Sequence, residues 1–238
     1  MIFWTILLGL GGIIISVFDW RRNIFGYVGR IWSKIILYAA NVPYSVKGLD
    51  NLQKNENYVF AGNHESAFDI PLAFAGIPYH LVSISKKELK WIPVFGWAMQ
   101  AGGHIFVDRR QHGKAVSSLD KAVSSLQNFP RSIVLFPEGT RSIDGKIHKF
   151  KKGGLVLAIK ANLPVVPFAV CGTAEVVTKG SWHLKSKPIE LRIGNPISTI
   201  NLNYEDRNEF VNAIRTDVIR LKNEWQSEQA IQINYQNN

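Results

Sequence analysis

The 238-residue sequence contains a single cysteine, Cys171. One thiol cannot form an intramolecular disulfide, and no cysteine-rich metal site can be built around it, so a reducing compartment fits. Acidic side chains are scarce as well: 18 Asp and Glu stand against 28 Lys and Arg, a net charge of +10. A surplus of that size favours an anionic partner, whether nucleic acid, an anionic membrane surface or a phosphorylated substrate. Helix-turn-helix, zinc and RNA-recognition signatures are all missing, which argues against nucleic acid as that partner. Charge is also missing from the first 18 residues, MIFWTILLGLGGIIISVF. A cleavable signal peptide carries its positive charges before the apolar run and small residues at its end. Here the charges (Asp19, Arg21, Arg22) come after, and bulky Phe18 and Trp20 flank the first of them. The segment is therefore expected to be retained. Its length is at the lower limit for crossing a bilayer, and Arg21 and Arg22 would put the rest of the chain on the cytoplasmic side.

A second apolar stretch, Asn23 to Asn41, carries Arg30 and Lys34 four positions apart, on one helical face. Tyr27, Trp32 and Tyr38 suit an interfacial depth. Residues 1–42 thus read as two membrane-associating helical segments, a hairpin that dips into or lies on one leaflet. The alternative is that the second segment is an amphipathic helix packed on the domain. Residues 43–238 read as one catalytic domain, with a core over about 45–200, because no repeat or linker interrupts them.

Short apolar runs bounded by turn residues predict strands at 57–62, 80–85, 103–108, 132–136, 165–171 and 189–193. Helical patterns fall between them at 70–75, 86–100, 112–128 and 153–161, and close the chain from Tyr204 to about Ala230. The last pattern has Phe210, Ile214, Val218 and Leu221 on one stripe, and the polar end from Gln226 is expected to fray. The alternation predicts an α/β fold: a mixed, mostly parallel sheet covered by helices on both faces.

Three clusters could carry chemistry. Asn63-His64-Glu65-Ser66-Ala67-Phe68-Asp69 follows the first of these strands. On one continuous helix, His64 and Asp69 would point about 140° apart. They can meet if His64 lies on the loop and Asp69 in the first helical turn, with Ser66 as N-cap. A carboxylate on one ring nitrogen would fix the tautomer and leave the other as a general base. The spacing by itself equally suits a structural histidine. The second cluster, Phe136-Pro137-Glu138-Gly139-Thr140-Arg141-Ser142, also follows a strand. Gly139 permits a tight turn, Thr140 offers a hydroxyl, Arg141 offers a fork for phosphate, and Glu138 could hold that arginine. Five basic residues lie between 141 and 152 against the single acid Asp144, a pattern that also suits a solvated loop. The third cluster runs from Gly102 through His104 to Asp108, Arg109 and Arg110, and could instead be a salt-bridged strand end.

In this order the blocks resemble those of the glycerolipid acyltransferases, specifically the 1-acyl-sn-glycerol-3-phosphate acyltransferase family. The shared blocks are N-H-x4-D at Asn63–Asp69, G-x-I-F-V-D-R at Gly103–Arg109, F-P-E-G-T-R-S at Phe136–Ser142 and V-P-F at Val166–Phe168. Shorter elements recur at Lys86–Leu89 and Ile92–Gly96. The resemblance covers about residues 40–200. It implies transfer of an acyl chain from acyl-CoA or acyl-carrier protein to the free hydroxyl of lysophosphatidic acid. It casts His64 as base and Asp69 as its orienting partner. Arg109 and Arg141 become phosphate ligands, Glu138, Gly139 and Thr140 shape the loop, and Lys87 and Lys151 are further candidates. The thioester is attacked directly, with no metal or organic cofactor expected. His104 departs from the pattern and is read as a surface-facing or core variation, not a second base. Ser66 lacks the nucleophile elbow and Cys171 reads as core. An acyltransferase with another acceptor (glycerol 3-phosphate or another lysophospholipid) and a non-catalytic lipid-binding membrane protein remain as alternatives.

Overall fold

The computed structural model describes residues 2–19, 23–108, 112–178, 180–181 and 183–236, with the side chains of 23–24, 112–117, 233, 235 and 236 left aside. Seven strands form one sheet: β1 (Tyr44–Lys47), β2 (Val59–Gly62), β3 (Leu81–Lys86), β4 (Ile105–Val107), β5 (Ser132–Leu135), β6 (Val165–Cys171) and β7 (Ile189–Ile193). Their order is β1-β7-β6-β2-β5-β3-β4, and every pairing is parallel except β6 with β7. The expected mixed, mostly parallel sheet is what forms. The central strands β2, β5 and β6 are buried along their whole length, as strands covered on both faces must be.

Alternation along each strand divides the core in two. Val59, Ala61, Ile133, Leu135 and Val165 face α5 (His112–Asn128), α6 (Lys152–Ala161) and α8 (Arg207–Gln236). Phe60, Val134, Val166, Phe168 and Leu191 face the other way, toward α2 (Asn23–Ala39) and α3 (Asp69–Gly76). The stripe Phe210, Ile214, Val218 and Leu221 is buried as expected.

Three expectations are corrected, and one strand lies where the sequence pattern announces none. The helix expected over 86–100 is broken into a 3-10 turn at Lys87–Trp91 and α4 (Phe95–Ala101). Pro93 disfavours a helical residue before it, so Ile92 is extended, and Val94 reverses the chain at φ 61°. The strand expected over 103–108 shrinks to β4, because Gly102 and Gly103 belong to the turn after α4. Strand β1 has only four residues, alternately half-buried and exposed, too weak a pattern to announce an edge strand. The polar tail does not fray: α8 continues to Gln236.

At the N-terminus, α1 (Ile2–Phe18) packs on α2 and α4. Glycines permit the close approach: a Cβ on Gly12 would lie 3.1 Å from the Phe25 ring, and one on Gly9 2.8 Å from Val94. The Trp32 indole N–H donates to Thr5 Oγ1 at 3.0 Å. Asp19 accepts the Phe25 N–H at 3.0 Å. Helix α2 is fixed to the domain by buried Phe25, Ile36 and Leu37. Arg30 points inward and donates to the carbonyls of Tyr79 (2.9 Å) and Ile77 (3.4 Å). So α2 is the packed amphipathic helix of the alternative reading. Among the described residues, no helix is long and apolar enough to cross a membrane. At 1.5 Å per residue, the 17 residues of α1 reach about 25 Å, short of a ~30 Å hydrocarbon core. Its outer face nevertheless shows Ile2, Phe3, Leu7, Leu10, Ile14, Val17 and Phe18 to the outside.

Candidate active site

Strand β2 ends at Gly62, where a Cβ would stand 2.4 Å from the Phe168 ring, so only glycine lets the chain leave the sheet here. Asn63 extends the strand pairing with its side chain. Its amide Nδ2 donates to the Val170 carbonyl (3.0 Å), and its Oδ1 accepts the Val170 N–H (2.9 Å). The loop then turns, and Asp69 opens α3. His64 Nδ1 and Asp69 Oδ2 lie 2.6 Å apart. The loop-plus-first-turn geometry that the spacing required is present.

Asp69 is fully buried, with donors at both carboxylate oxygens. Its Oδ2 accepts the N–H groups of Glu65 (2.6 Å) and Ser66 (2.9 Å), and its Oδ1 accepts the Thr173 hydroxyl at 2.5 Å. An ionised carboxylate only accepts, so the hydrogen between it and the imidazole belongs to Nδ1 and the lone pair to Nε2. The His64 ring stacks on Phe136 at 4.5 Å between centroids and is about one-fifth exposed. The arrangement can therefore accept a proton at Nε2 from a group in the crevice, which lies at the carboxyl ends of β2 and β5.

Ser66 is not the N-cap. Its hydroxyl donates to the Val177 carbonyl (2.8 Å), and Phe68 occupies the cap position without a side-chain bond. Two loops are locked together beside His64. Glu138 accepts the His64 N–H on one oxygen (2.8 Å) and the His148 N–H on the other (3.0 Å). The Ser142 N–H donates to the His64 carbonyl at 2.7 Å. Glu138 is thus a brace between backbones. Burial raises its pKa more than the two N–H donors lower it. Gly139 turns the chain at φ 74°, a left-handed value suited to glycine. Exposed Thr140 and half-buried Arg141 follow, and Arg141 immediately precedes the residue bonded to His64.

The remaining candidates lie further out. Lys151 is exposed at the N-cap of α6, its N–H bonded to the Pro137 carbonyl at 2.8 Å. Lys87 is exposed beside Asp108, 3.5 Å from its carboxylate. Arg109 lies outside the described residues. Of the two readings of His104, the structure favours the core one: the ring accepts the Ser83 N–H (3.1 Å), contacts the Ser83 hydroxyl (2.8 Å) and stacks on Phe74. Burial, with His80 and Arg131 nearby, pushes its pKa down to about 3, so the ring is neutral. Burial also pushes the Cys171 thiol up to about 12, which makes it inert.

Three features escaped sequence reading. The first is Thr173, two residues past β6, which the fold swings under Asp69. The second is an apolar cavity of about 150 Å³ beneath α1 and α2, with Ser83, Ser85 and His104 among its lining residues. It shares Thr5, Trp32 and Phe95 with an apolar groove that reaches Ala67 and Phe68 of the His64 loop. The third is a buried ion pair behind the site, Glu65 with Lys222 of α8. Only the buried Glu in the motif signalled the need for a cation there.

A family model described as Acyltransferase matches residues 44–171, which include the His64, Asp69 and Glu138–Ser142 positions. The chain belongs to the acyltransferase family. A 1-acyl-sn-glycerol-3-phosphate acyltransferase of Limnanthes douglasii is 29% identical over 88% of this chain and 75% of its own length. One from Saccharomyces cerevisiae is 33% identical over 80% of this chain and 63% of its own. Among solved structures, the 1-acyl-sn-glycerophosphate acyltransferase PlsC of Thermotoga maritima superposes with a TM-score of 0.64 at 27% identity, covering 91% of this acyltransferase and 95% of that chain. The structural likeness therefore extends beyond the matched family segment.

Proposed function

We propose that this acyltransferase moves a fatty acyl chain from a thioester, acyl-CoA or acyl-carrier protein, to the 2-hydroxyl of lysophosphatidic acid, giving phosphatidic acid. The relatives' activity supports the reaction class. The observation that carries the mechanism is the 2.6 Å contact of His64 with a fully buried Asp69. A hydroxyl is a weak nucleophile at neutral pH. His64 Nε2 takes its proton as the oxygen attacks the thioester carbonyl, and Asp69 holds the imidazolium that results. Collapse of the tetrahedral intermediate breaks the C–S bond, and His64 returns the proton to the departing thiolate. No acyl-enzyme, metal or organic cofactor enters this sequence.

The acceptor phosphate falls to Arg141 and the loop of Glu138, Gly139 and Thr140, with Arg109 as the second arginine of the motif set and exposed Lys87 and Lys151 as further candidates. The acyl chain suits the groove and cavity under α1 and α2. The exposed apolar face of α1 lies in one leaflet, with the catalytic domain on the cytoplasmic side. Both substrates are amphiphiles, so this placement brings the crevice to them.

The test is purified full-length protein with acyl thioesters of varied length and a panel of acceptors: lysophosphatidic acid, glycerol 3-phosphate and lysophospholipids with a head group. The expected preference is lysophosphatidic acid. His64→Ala should lower kcat by about 10²–10⁴-fold while circular dichroism is unchanged. A folded His64→Ala protein that turns over at the native rate removes the base from the mechanism.

A further inference from the structure

We infer that Lys222 is a positioning residue for His64, acting through Glu65 from the far side of the sheet's end; the inference rests on the function proposed above. Glu65 follows His64 directly, yet its side chain is 4% exposed and turned away from the crevice. A carboxylate in that position is costly unless paired and hydrogen-bonded. It receives the Asn63 amide at 2.9 Å and the ammonium of Lys222, itself only 7% exposed. The same ammonium donates to the Gly145 carbonyl at 3.3 Å. One cation thus joins α8, the His64 loop and the loop after Ser142.

Seven residues earlier on α8, Arg215 donates to the carbonyls of Ile147 (2.6 Å) and His148 (2.9 Å). The His148 N–H is held by Glu138, whose other oxygen holds the His64 N–H. The contacts form a closed circuit: Lys222, Glu65, His64, Glu138, His148, Arg215 and back along α8. His64 is gripped through its own N–H and through the side chain of the next residue, and both grips end on one helix. Helix α8 lies outside the segment that the family model matches, and the element that braces the base is therefore supplied from beyond it. Removing Lys222 leaves a buried carboxylate with no counter-charge. It is relieved either by taking up a proton or by turning toward water, and both release the hold that Lys222 has on the peptide at 64–65.

The experiment compares native protein with Lys222→Met, Lys222→Arg, Glu65→Gln and the Glu65→Gln/Lys222→Met double variant, using lysophosphatidic acid and an acyl-CoA below each protein's Tm. Displacing the base by about 1 Å predicts a 10- to 100-fold fall in kcat for Lys222→Met, with the acceptor KM within about twofold of native. Lys222→Arg should restore most of the rate. The double variant, which buries no lone charge, should exceed Lys222→Met, so that the cycle is non-additive. A folded Lys222→Met protein with native kcat overturns the inference, as does a double variant that shows only the product of the single effects. If Lys222→Met does not fold, Glu65→Gln decides: a kcat reduced by about threefold or more at constant KM supports the circuit, and a native kcat overturns it. An inactive native protein sinks both this inference and the proposed function, whereas a native protein and a Lys222→Met protein of equal activity sink only the inference.

Discussion

The two faces of the sheet are covered by helices of different character. On one face, α1, α2 and α3 enclose an apolar cavity and groove, and α1 presents apolar side chains outward. On the other, α5, α6 and α8 bury an equally apolar core but carry charge outside. Arg220 of α8 pairs with Asp217 (3.0 Å) and Glu224 (2.7 Å), and Lys160 with Asp120 (2.7 Å). Exposed pairs of this kind stabilise by less than about 1 kcal/mol each. They mark a surface that meets water. Under the proposed function, the contrast would let one thin α/β layer serve a water-soluble head and an apolar tail. The loops that carry His64 and Glu138 lie at the strand ends, where the faces meet.

Three experiments would break or sharpen this contrast. The largest effect belongs to membrane attachment. Replacing exposed Leu10 and Ile14 by Glu should cut the fraction bound to anionic vesicles by at least about tenfold, since a buried Leu or Ile is worth ~1.5–3 kcal/mol. Arg220→Glu on the opposite face should leave sedimentation with vesicles unchanged. Equal losses from both faces would erase the distinction. Complete removal of residues 1–42 is a poorer probe, because α2 also buries Phe25, Ile36 and Leu37 in the core.

The second effect lies where the faces meet. Arg141→Ala should raise the KM for lysophosphatidic acid about 10-fold or more, the size expected for a lost charge-assisted bond, with a smaller change in kcat. An unchanged KM in steady-state assays would take the phosphate away from this arginine.

The third concerns pH and the apolar face. His104 has a folded pKa of about 3 against 6.5 in the unfolded chain. A depressed histidine pKa means that the unfolded chain binds the extra proton, so His104 lowers stability as pH falls from about 6.5 toward 3. The loss is at most ~1.4 kcal/mol per pH unit. His104→Gln should flatten the fall of Tm across that window, and an unchanged slope would show that another group sets it.

How much of this was legible in the sequence differs by residue. The motif at 63–69 allowed the pairing of its His and Asp on one condition, His64 on a loop and Asp69 in a first helical turn, and that condition was legible because strand exit, loop and helix start are local properties of the chain. The capping role of Ser66 failed because the Val177 carbonyl, 111 positions away, competes for its hydroxyl. Pro93 signalled the break in the 86–100 helix in plain view, yet the apolar spacing around it concealed the interruption.

Periodicity and short motifs determined by themselves six of the seven described strands, the mostly parallel sheet and the stretch in which His64 could meet Asp69, since each depends on neighbours within a few residues. Tertiary structure alone decided that Arg30 turns inward, that Thr173 donates to Asp69 and that Lys222 meets Glu65. Those contacts span 47 to 157 positions, and pairing across such distances is fixed by how helices and strands stack. A buried charge can say that it needs a partner, but only the packed fold says which one it finds.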